Sequence, residues 1–176
     1  SRTGRDAALL MQVVSGFDQR DPASVSEPVP DFIGSCEMPV DGLRIAWSPT
    51  LGYAQPTPEV RKMTENAALQ FEDLGCSVDL VEDVFDDPID LWMAEFYAGV
   101  GVTLKEALQN DRDLLDPAIA EILDDALNQN VESYYTKVFK RYKLREKVRH
   151  FFENYDLLLT PTLPVSTFDA GVNVPP

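Results

Sequence analysis

A short apolar run that ends in two prolines constrains the fold of this chain more than any other feature. Residues 155–164 read Tyr-Asp-Leu-Leu-Leu-Thr-Pro-Thr-Leu-Pro. Leu157–Leu159 is too short for a helix and lacks polar alternation, so it predicts a strand covered on both faces, as in a parallel sheet. In such sheets ligands collect beyond the carboxyl ends of the strands, which is where Thr160, Pro161 and Thr162 would lie. A plain core strand with a rigid exit loop is the alternative interpretation.

Two further strands are predicted from shorter apolar patterns. Alternating apolar residues predict a strand over 43–47, and a second apolar run predicts another over 78–81. Between them, Thr57 and Pro58 are typical of a helix start, and Gly75 is typical of the end of that helix. A strand, a helix and a strand within this length predict a βαβ unit with a right-handed crossover.

The predicted fold class is therefore α/β, with a three-stranded, mostly parallel sheet, helices on both faces, and a sheet that continues into further polypeptide. Additional helices are predicted near residues 3–16, 88–109, 117–127 and 132–154. Residues 17–42 carry four prolines and are interpreted as an extended connector. Residues 1–176 together are expected to form a single α/β domain.

The charge balance restricts the classes of partner. The chain has 30 acidic and 15 basic residues and a net charge of −15. This negative net charge argues against nucleic acid or an anionic membrane surface as a partner, because both are negatively charged and would be repelled. The chain contains no run of 18 apolar residues and no leader of the secretory type at Ser1, so neither a transmembrane span nor a secretory signal is expected. Cys36 and Cys76 are 40 positions apart and His150 is the single histidine, a pattern that predicts a reducing cytoplasm and no metal site.

Three other patterns have both a structural and a functional interpretation. Trp92 and Phe96 lie one helical turn apart and predict either core packing or a wall of a substrate tunnel. The pairs Asp86-Asp87 and Asp124-Asp125 lack a third candidate ligand nearby and are interpreted as helix-start and surface charge. Residues 137–149 hold seven of the 15 cations, which predicts either a docking site for an acidic partner or a solvated helix face.

Three segments together resemble the amidase signature family. The first is residues 155–164, quoted above. The second is Ser1–Leu10, followed by Asp-Gln-Arg-Asp-Pro at 18–22, and the third is Leu-Arg-Ile-Ala-Trp-Ser-Pro at 43–49, leading to Phe-Glu-Asp-Leu-Gly-Cys at 71–76. The resemblance covers most of the chain, and residues 83–130 are its least distinctive part.

The resemblance implies a hydrolase that cleaves the C–N bond of linear carboxylic amides with a serine nucleophile, a relaying serine and a lysine base. None of the nine serines lies in the Gly/Ser-rich setting that this chemistry uses. Ser133 and Lys137 share a helix face at i, i+4, but the basic surroundings do not favour a catalytic pair. The chain is therefore expected to be the middle-to-late part of an amidase, inactive alone, with no catalytic residue, no metal ligand and no cofactor of its own.

The predicted strand end and the shared helix face place a set of residues at the substrate pocket of the intact enzyme. We expect the loop Thr160, Pro161 and Thr162 and the aromatic residues Trp92 and Phe96 to border the amide. The expected partner is a small-molecule amide, and the chain is expected to associate with itself through an exposed sheet edge or apolar face.

Two alternative functions remain open. One is a non-catalytic α/β interaction module. The other is the subunit of the tRNA-dependent amidotransferases that belongs to this same family, which typically carries an arginine that holds a free amino-acid carboxylate. The corresponding residues here, 120–123, read Ala-Glu-Ile-Leu without arginine, which favours a general amidase.

Overall fold

The computed structural model describes residues 1–172, which divide at Asp41 and Gly42 into two compact units. The first unit, Ser1–Asp41, contains α1 (Gly4–Val14) and α2 (Phe32–Ser35). Thr3 begins α1 as predicted, since its hydroxyl oxygen accepts the N–H of Asp6 at 3.1 Å. Within residues 17–42, α2 is the one regular element, and the rest is turn and irregular backbone. That residues 1–176 form a single domain stays a prediction.

The second unit is built on a three-stranded parallel sheet, which confirms the predicted fold class. The strands are β1 (Arg44–Trp47), β2 (Ser77–Leu80) and β3 (Leu157–Leu159), in the order β2-β1-β3. Ile45 of β1 lies opposite Val78 of β2 on one side and Leu157 of β3 on the other. The central strand β1 forms the core of the sheet, since Ile45 and Ala46 are fully buried.

The expected burial of β3 on both faces was wrong. Leu157 is 41% exposed, whereas the side chains of β1 from Ile45 to Trp47 are all buried. The physical reason is position: β3 is an edge strand of the sheet, and β1 between the two edges is the strand that both neighbours cover. The apolar run identified a strand correctly but did not identify which strand is central.

The two connections between the strands run in opposite directions across the sheet. Helix α3 (Pro58–Asp73) joins β1 to β2, and its cap is the hydroxyl of Thr57, which accepts the N–H of Val60. The chain after β2 returns to β3, on the other side of β1. Because parallel crossovers are right-handed, these two connections are expected to cover opposite faces of the sheet.

The long return from β2 to β3 is helical. It comprises α4 (Ile89–Trp92), a π-helical turn (Met93–Tyr97), α5 (Ala98–Thr103), α6 (Lys105–Asn110), a 3-10 turn (Arg112–Leu114), α7 (Pro117–Leu127) and α8 (Val131–Phe151). The single helix predicted over 88–109 is interrupted by the π-helical turn and again at Leu104. A second small core forms here around Leu108, Ala120 and Leu123, all of them buried.

Gly99 and Gly101, two residues apart in α5, are expected to respond oppositely to alanine substitution. A Cβ at Gly99 would meet nothing within 4 Å, whereas a Cβ at Gly101 would lie 2.9 Å from Leu127 Cγ and 3.3 Å from the carbonyl oxygen of Leu123. Gly99→Ala should raise the free energy of unfolding by up to about 1 kcal/mol through helix propensity. Gly101→Ala should lower it by about 1–2 kcal/mol, because overpacking outweighs that gain. Urea denaturation of both variants measures the change in the free energy of unfolding. Equal changes for the two variants would contradict the close packing of α5 on α7.

Asp156 fastens β3 to β1 immediately before their pairing begins. One carboxylate oxygen accepts the backbone N–H of Arg44 at 2.8 Å, and the other accepts from the Arg44 guanidinium at 2.9 Å. The backbone N–H of Asp156 in turn donates to the carbonyl of Arg44 at 2.8 Å. This reciprocal contact sets the register between the two strands.

The Arg44 contact predicts a pH dependence of stability. Hydrogen bonds from the guanidinium and then from the backbone N–H of Arg44 lower the pKa of Asp156. A carboxyl with a lowered folded pKa adds stability above its unfolded pKa of about 3.9, and that stability is lost as pH falls through the folded value. The Tm difference between the unchanged chain and Asp156→Asn should therefore be larger at pH 7 than at pH 3. A Tm difference that does not change with pH would show that the charge of Asp156 does not contribute to stability.

Candidate functional site

The loops that follow the three strands meet at the carboxyl edge of the sheet. The hydroxyl of Thr50, after β1, donates to the backbone carbonyl of Glu82, after β2, at 2.8 Å. The buried hydroxyl of Ser48 donates to the same carbonyl at 3.4 Å and accepts the N–H of Leu51 at 3.0 Å. The backbone N–H of Ser48 donates to the carbonyl of Leu159, the last residue of β3, at 2.9 Å. Hydrogen bonds from one short segment thus fix the exits of all three strands relative to one another.

Leu51 holds an uncommon backbone conformation within this edge. Its φ is +54°, and the following Gly52 has a φ of +100°. A side chain in the left-handed region costs roughly 1–2 kcal/mol. The carbonyl of Leu51 accepts the backbone N–H groups of Val84 and Phe85 at 3.2 and 2.9 Å, which holds the turn in place. Gly52 is required here, because a Cβ would lie 2.8 Å from the carbonyl oxygen of Phe85.

A cleft of about 200 Å³ opens between the loop after β1 and the loop after β3. Its lining residues come from these two loops alone: Pro49, Leu51, Tyr53, Ala54, Thr160, Pro161, Thr162 and Pro164. The two loops are also joined directly, since the N–H of Thr57 donates to the carbonyl of Pro164 at 2.8 Å. The structure therefore brings together three of the five residues expected at the substrate pocket, Thr160, Pro161 and Thr162.

The other two expected pocket residues lie on the helical return. Trp92 ends α4 and Phe96 lies in the π-helical turn, and their rings stack with centroids 4.4 Å apart. Both remain exposed, at 52% and 47%, so they are not core residues of this chain. Neither lines the 200 Å³ cleft. Their place at an amide pocket stays a prediction; π-helical turns are frequent at functional sites.

The basic stretch of α8 meets acidic residues of the same chain. Lys147 pairs with Asp86 at 2.7 Å, Lys140 with Asp90 at 3.4 Å and Arg141 with Glu95 at 2.7 Å. All but Glu95 are at least half exposed, so each pair contributes little to stability. Their geometry nevertheless aligns the helix of Trp92 and Phe96 along α8, with a cleft of about 320 Å³ between them.

The remaining candidate residues have structural roles in the described chain. Asp87 accepts the N–H of Ile89 at 2.9 Å, as a helix-start residue does, and Asp124 pairs with Arg112 at 2.7 Å. Ser133 lies in the first turn of α8, where its N–H donates to the side chain of Asn130. Among residues 1–172 there is no group of three or more metal-ligating side chains. In the same residues no helix is long and apolar enough to span a bilayer.

Comparison with known proteins settles the family. A family model described as Amidase matches residues 1–175. The chain belongs to the amidase family. It is similar to an acylamidase from Rhodococcus erythropolis, with 29% identity over 174 residues, and to a glutamyl-tRNA(Gln) amidotransferase subunit from Synechococcus, with 28% identity over 206 residues. The family prediction is confirmed.

The relatives are considerably longer than the part that matches. The two alignments cover 96% and 97% of this chain but 36% and 40% of the relatives. The fold agrees with that of a solved bacterial aryl acylamidase of the amidase signature family, with a TM-score of 0.83 and 26% identity over 93% of this chain and 36% of that one. This amidase-family chain thus spans well under half the length of the proteins it matches.

Sequence reasoning missed the loop after β1 as one wall of the cleft. Ser-Pro-Thr directly after a strand indicated that the strand ends there, but nothing marked Leu51 as a residue with positive φ. Glu82 was also missed, although it accepts from Thr50 at 3.3 Å and forms an ion pair with Arg61 of α3. The contact between Thr50 and Glu82 joins residues 32 positions apart, which local patterns do not reveal.

Proposed function

We propose that the complete amidase containing this chain hydrolyses the C–N bond of linear carboxylic amides, and that this chain supplies the sheet and part of the substrate pocket. The observation that carries the proposal is the cleft between Pro49–Ala54 and Thr160–Pro164 at the carboxyl edge of the parallel sheet. Open α/β sheets bind ligands at this edge. Family membership and the acylamidase relatives support an amide as the ligand.

The pocket residues are proposed to shape the site and not to carry out the chemistry. Pro161 and Pro164 fix φ and make the loop after β3 stiff, which suits a wall that must keep its shape. Thr160 and Thr162 are exposed beside them and offer hydroxyl groups that can hydrogen-bond an amide. The nucleophile and base are proposed to come from elsewhere in the complete protein, as the family resemblance implies.

Cellular location and partners belong to the same proposal. We infer a cytoplasmic protein from two cysteines that remain thiols, of which Cys36 is exposed and Cys76 is buried. The net charge of −15 supports a partner that is neither nucleic acid nor an anionic membrane. Self-association is proposed from the exposed edges of the sheet.

The test is hydrolysis of a panel of alkyl and aryl amides by the complete protein, with the released carboxylate measured. The proposal expects turnover of at least one amide class. A folded complete protein that hydrolyses none of them, while binding an unrelated macromolecule through this region, would favour the interaction module instead.

Trp92→Ala is expected to change the relative kcat/KM for bulky and small amides in the complete enzyme. Pocket misfit of a single methylene is worth about 1–3 kcal/mol, so a removed indole should alter the ratio at least about tenfold. The stability loss should be about 1 kcal/mol, because the half-exposed ring makes one stack with Phe96, and not the roughly 3–5 kcal/mol of a buried tryptophan. Kinetics on folded variants measure the ratio.

The matched control is Phe139→Ala, which removes a ring that is 56% exposed on α8. It should leave the ratio unchanged. If Trp92→Ala also leaves the ratio unchanged, Trp92 does not belong to the substrate site.

A further inference from the structure

We infer that the cleft between the loops after β1 and β3 is a subsite for a single ring or a similar compact apolar group of the substrate, and that Leu51 and Tyr53 determine what fits. The inference rests on the proposed function and deepens it. It assigns a second wall to the pocket, from a segment that sequence reasoning left unassigned. The lining of the cleft, its position and the rigidity of its walls support it independently.

The position of the cleft is the first argument. In the order β2-β1-β3, the chain leaves β1 for β2 on one side and returns to β3 on the other. The strand order therefore reverses beside β1, and α/β sheets form ligand crevices outside the carboxyl ends of strands at such a point. The cleft lies there, between residues that directly follow β1 and residues that directly follow β3.

The rigidity of the new wall is the second argument. Leu51 keeps a φ of +54° through hydrogen bonds from Val84 and Phe85 to its carbonyl oxygen. Strained residues persist where the surroundings over-determine them, and they concentrate at ligand sites. The opposite wall is stiffened by Pro161 and Pro164, so both sides of the cleft are held in place before a ligand arrives.

The chemistry of the lining is the third argument. Leu51, the ring of Tyr53 and the prolines at 49, 161 and 164 give the cleft a mainly apolar surface. Its volume of about 200 Å³ suits one aromatic ring, since an apolar cavity of about 150 Å³ holds benzene. Thr160 and Thr162 at the same cleft supply hydroxyl groups for the polar part of the ligand. Tyr53 is 39% exposed, so its ring is available to stack on a ligand.

The test is an NMR titration of the ¹⁵N-labelled 176-residue chain, at a concentration where sedimentation shows a monomer, with acetanilide, an amide that carries a ring, and with acetamide, which carries none. Acetanilide should shift the backbone N–H signals of Leu51, Gly52, Tyr53, Thr160 and Thr162 in a saturable manner, and acetamide should not. Tyr53→Ala should weaken acetanilide binding about three- to tenfold, the size of one aromatic stack. Phe152→Ala, which removes a ring 42% exposed at the end of α8, is the matched control and should leave the affinity unchanged.

A second variant guards against loss of folding. Leu51→Gly relieves the positive φ, which offsets the loss of the leucine side chain, so the variant should stay folded with little change in Tm while still weakening acetanilide binding. Saturable shifts at Thr160 and Thr162 without shifts at 51–53 would overturn the role of the new wall and leave the proposed pocket intact. Absence of saturable binding, or full affinity in both variants, would overturn the ring subsite. The proposed function is tested by a separate experiment, the hydrolysis of amides by the complete protein.

Discussion

The 176-residue chain alone is expected to hydrolyse no amide above the uncatalysed rate. Enzymes accelerate such reactions by about 10⁶-fold or more, so the expected loss is at least about six orders of magnitude relative to a complete amidase. A serine nucleophile needs a base within hydrogen-bond reach and an oxyanion hole of N–H donors. Several serine hydroxyls here already have structural partners: Ser48 donates to Glu82, Ser35 to Asp31 and Ser166 to Glu59.

The assay uses the purified chain with aryl and alkyl amides, and Ser133→Ala provides the control. Ser133 and Lys137 are the closest pairing of serine and lysine on one helix face, in the first turns of α8. Hydrolysis that survives Ser133→Ala does not come from a pair of Ser133 and Lys137, and hydrolysis that also persists through further purification would contradict the expected inactivity. Turnover that Ser133→Ala abolishes would place a catalytic pair on α8 and contradict the expected inactivity of the chain.

The second large effect is self-association of the isolated chain at high micromolar concentration. β2 and β3 each have one edge without a strand partner among residues 1–172, and Leu80 and Leu157 on these strands are 56% and 41% exposed. On α8, Tyr135, Phe139 and Tyr142 form a further exposed aromatic row. Covering about 400 Å² of apolar surface would contribute about 10 kcal/mol before the costs of association.

Salt should strengthen this association, because the net charge of −15 makes two copies repel each other and ions screen that repulsion. Sedimentation at about 50 and about 500 mM NaCl measures both the mass and its salt dependence, and binding of an apolar dye reports the exposed surface. A monomer at both salt concentrations without dye binding would contradict the view that apolar faces of this chain need a partner. Leu80→Lys, which places a charge on the β2 edge, should weaken association if that edge is the contact.

Local patterns were sufficient for the three strands and for most helix starts. The run Leu157–Leu159, the cap at Thr57 and the turn at Gly75 each depend on neighbours within a few residues, so the sequence contains the necessary information. The π-helical turn at Met93–Tyr97 and the break at Leu104 were not predicted, because apolar residues surround this segment on more than one face and the helical period alone continues through both. The burial of β3 was misjudged because an apolar run does not report which strand lies in the middle.

Local patterns also predicted one part of the candidate site and missed the part that depends on long-range contacts. Thr160, Pro161 and Thr162 were placed at a ligand edge from the strand that precedes them, and the structure puts them on a cleft there. The opposite wall depends on contacts between Thr50 and Glu82 and between Leu51 and Phe85, which are far apart in the chain, so no local pattern indicated it. The basic face of α8 was correctly recognised as charged, but its acidic partners on residues 86–95 became visible only in three dimensions.

The most direct test of the central claim is to map a serine-reactive label in the complete amidase that contains this chain. Residues 1–176 are proposed to shape the pocket, while the nucleophile lies outside them. After inactivation with phenylmethylsulfonyl fluoride, tandem mass spectrometry should locate the sulfonyl group on a serine outside these residues, and acetanilide should protect against labelling. A label on any of the nine serines of this chain that tracks the loss of amide hydrolysis would contradict the claim.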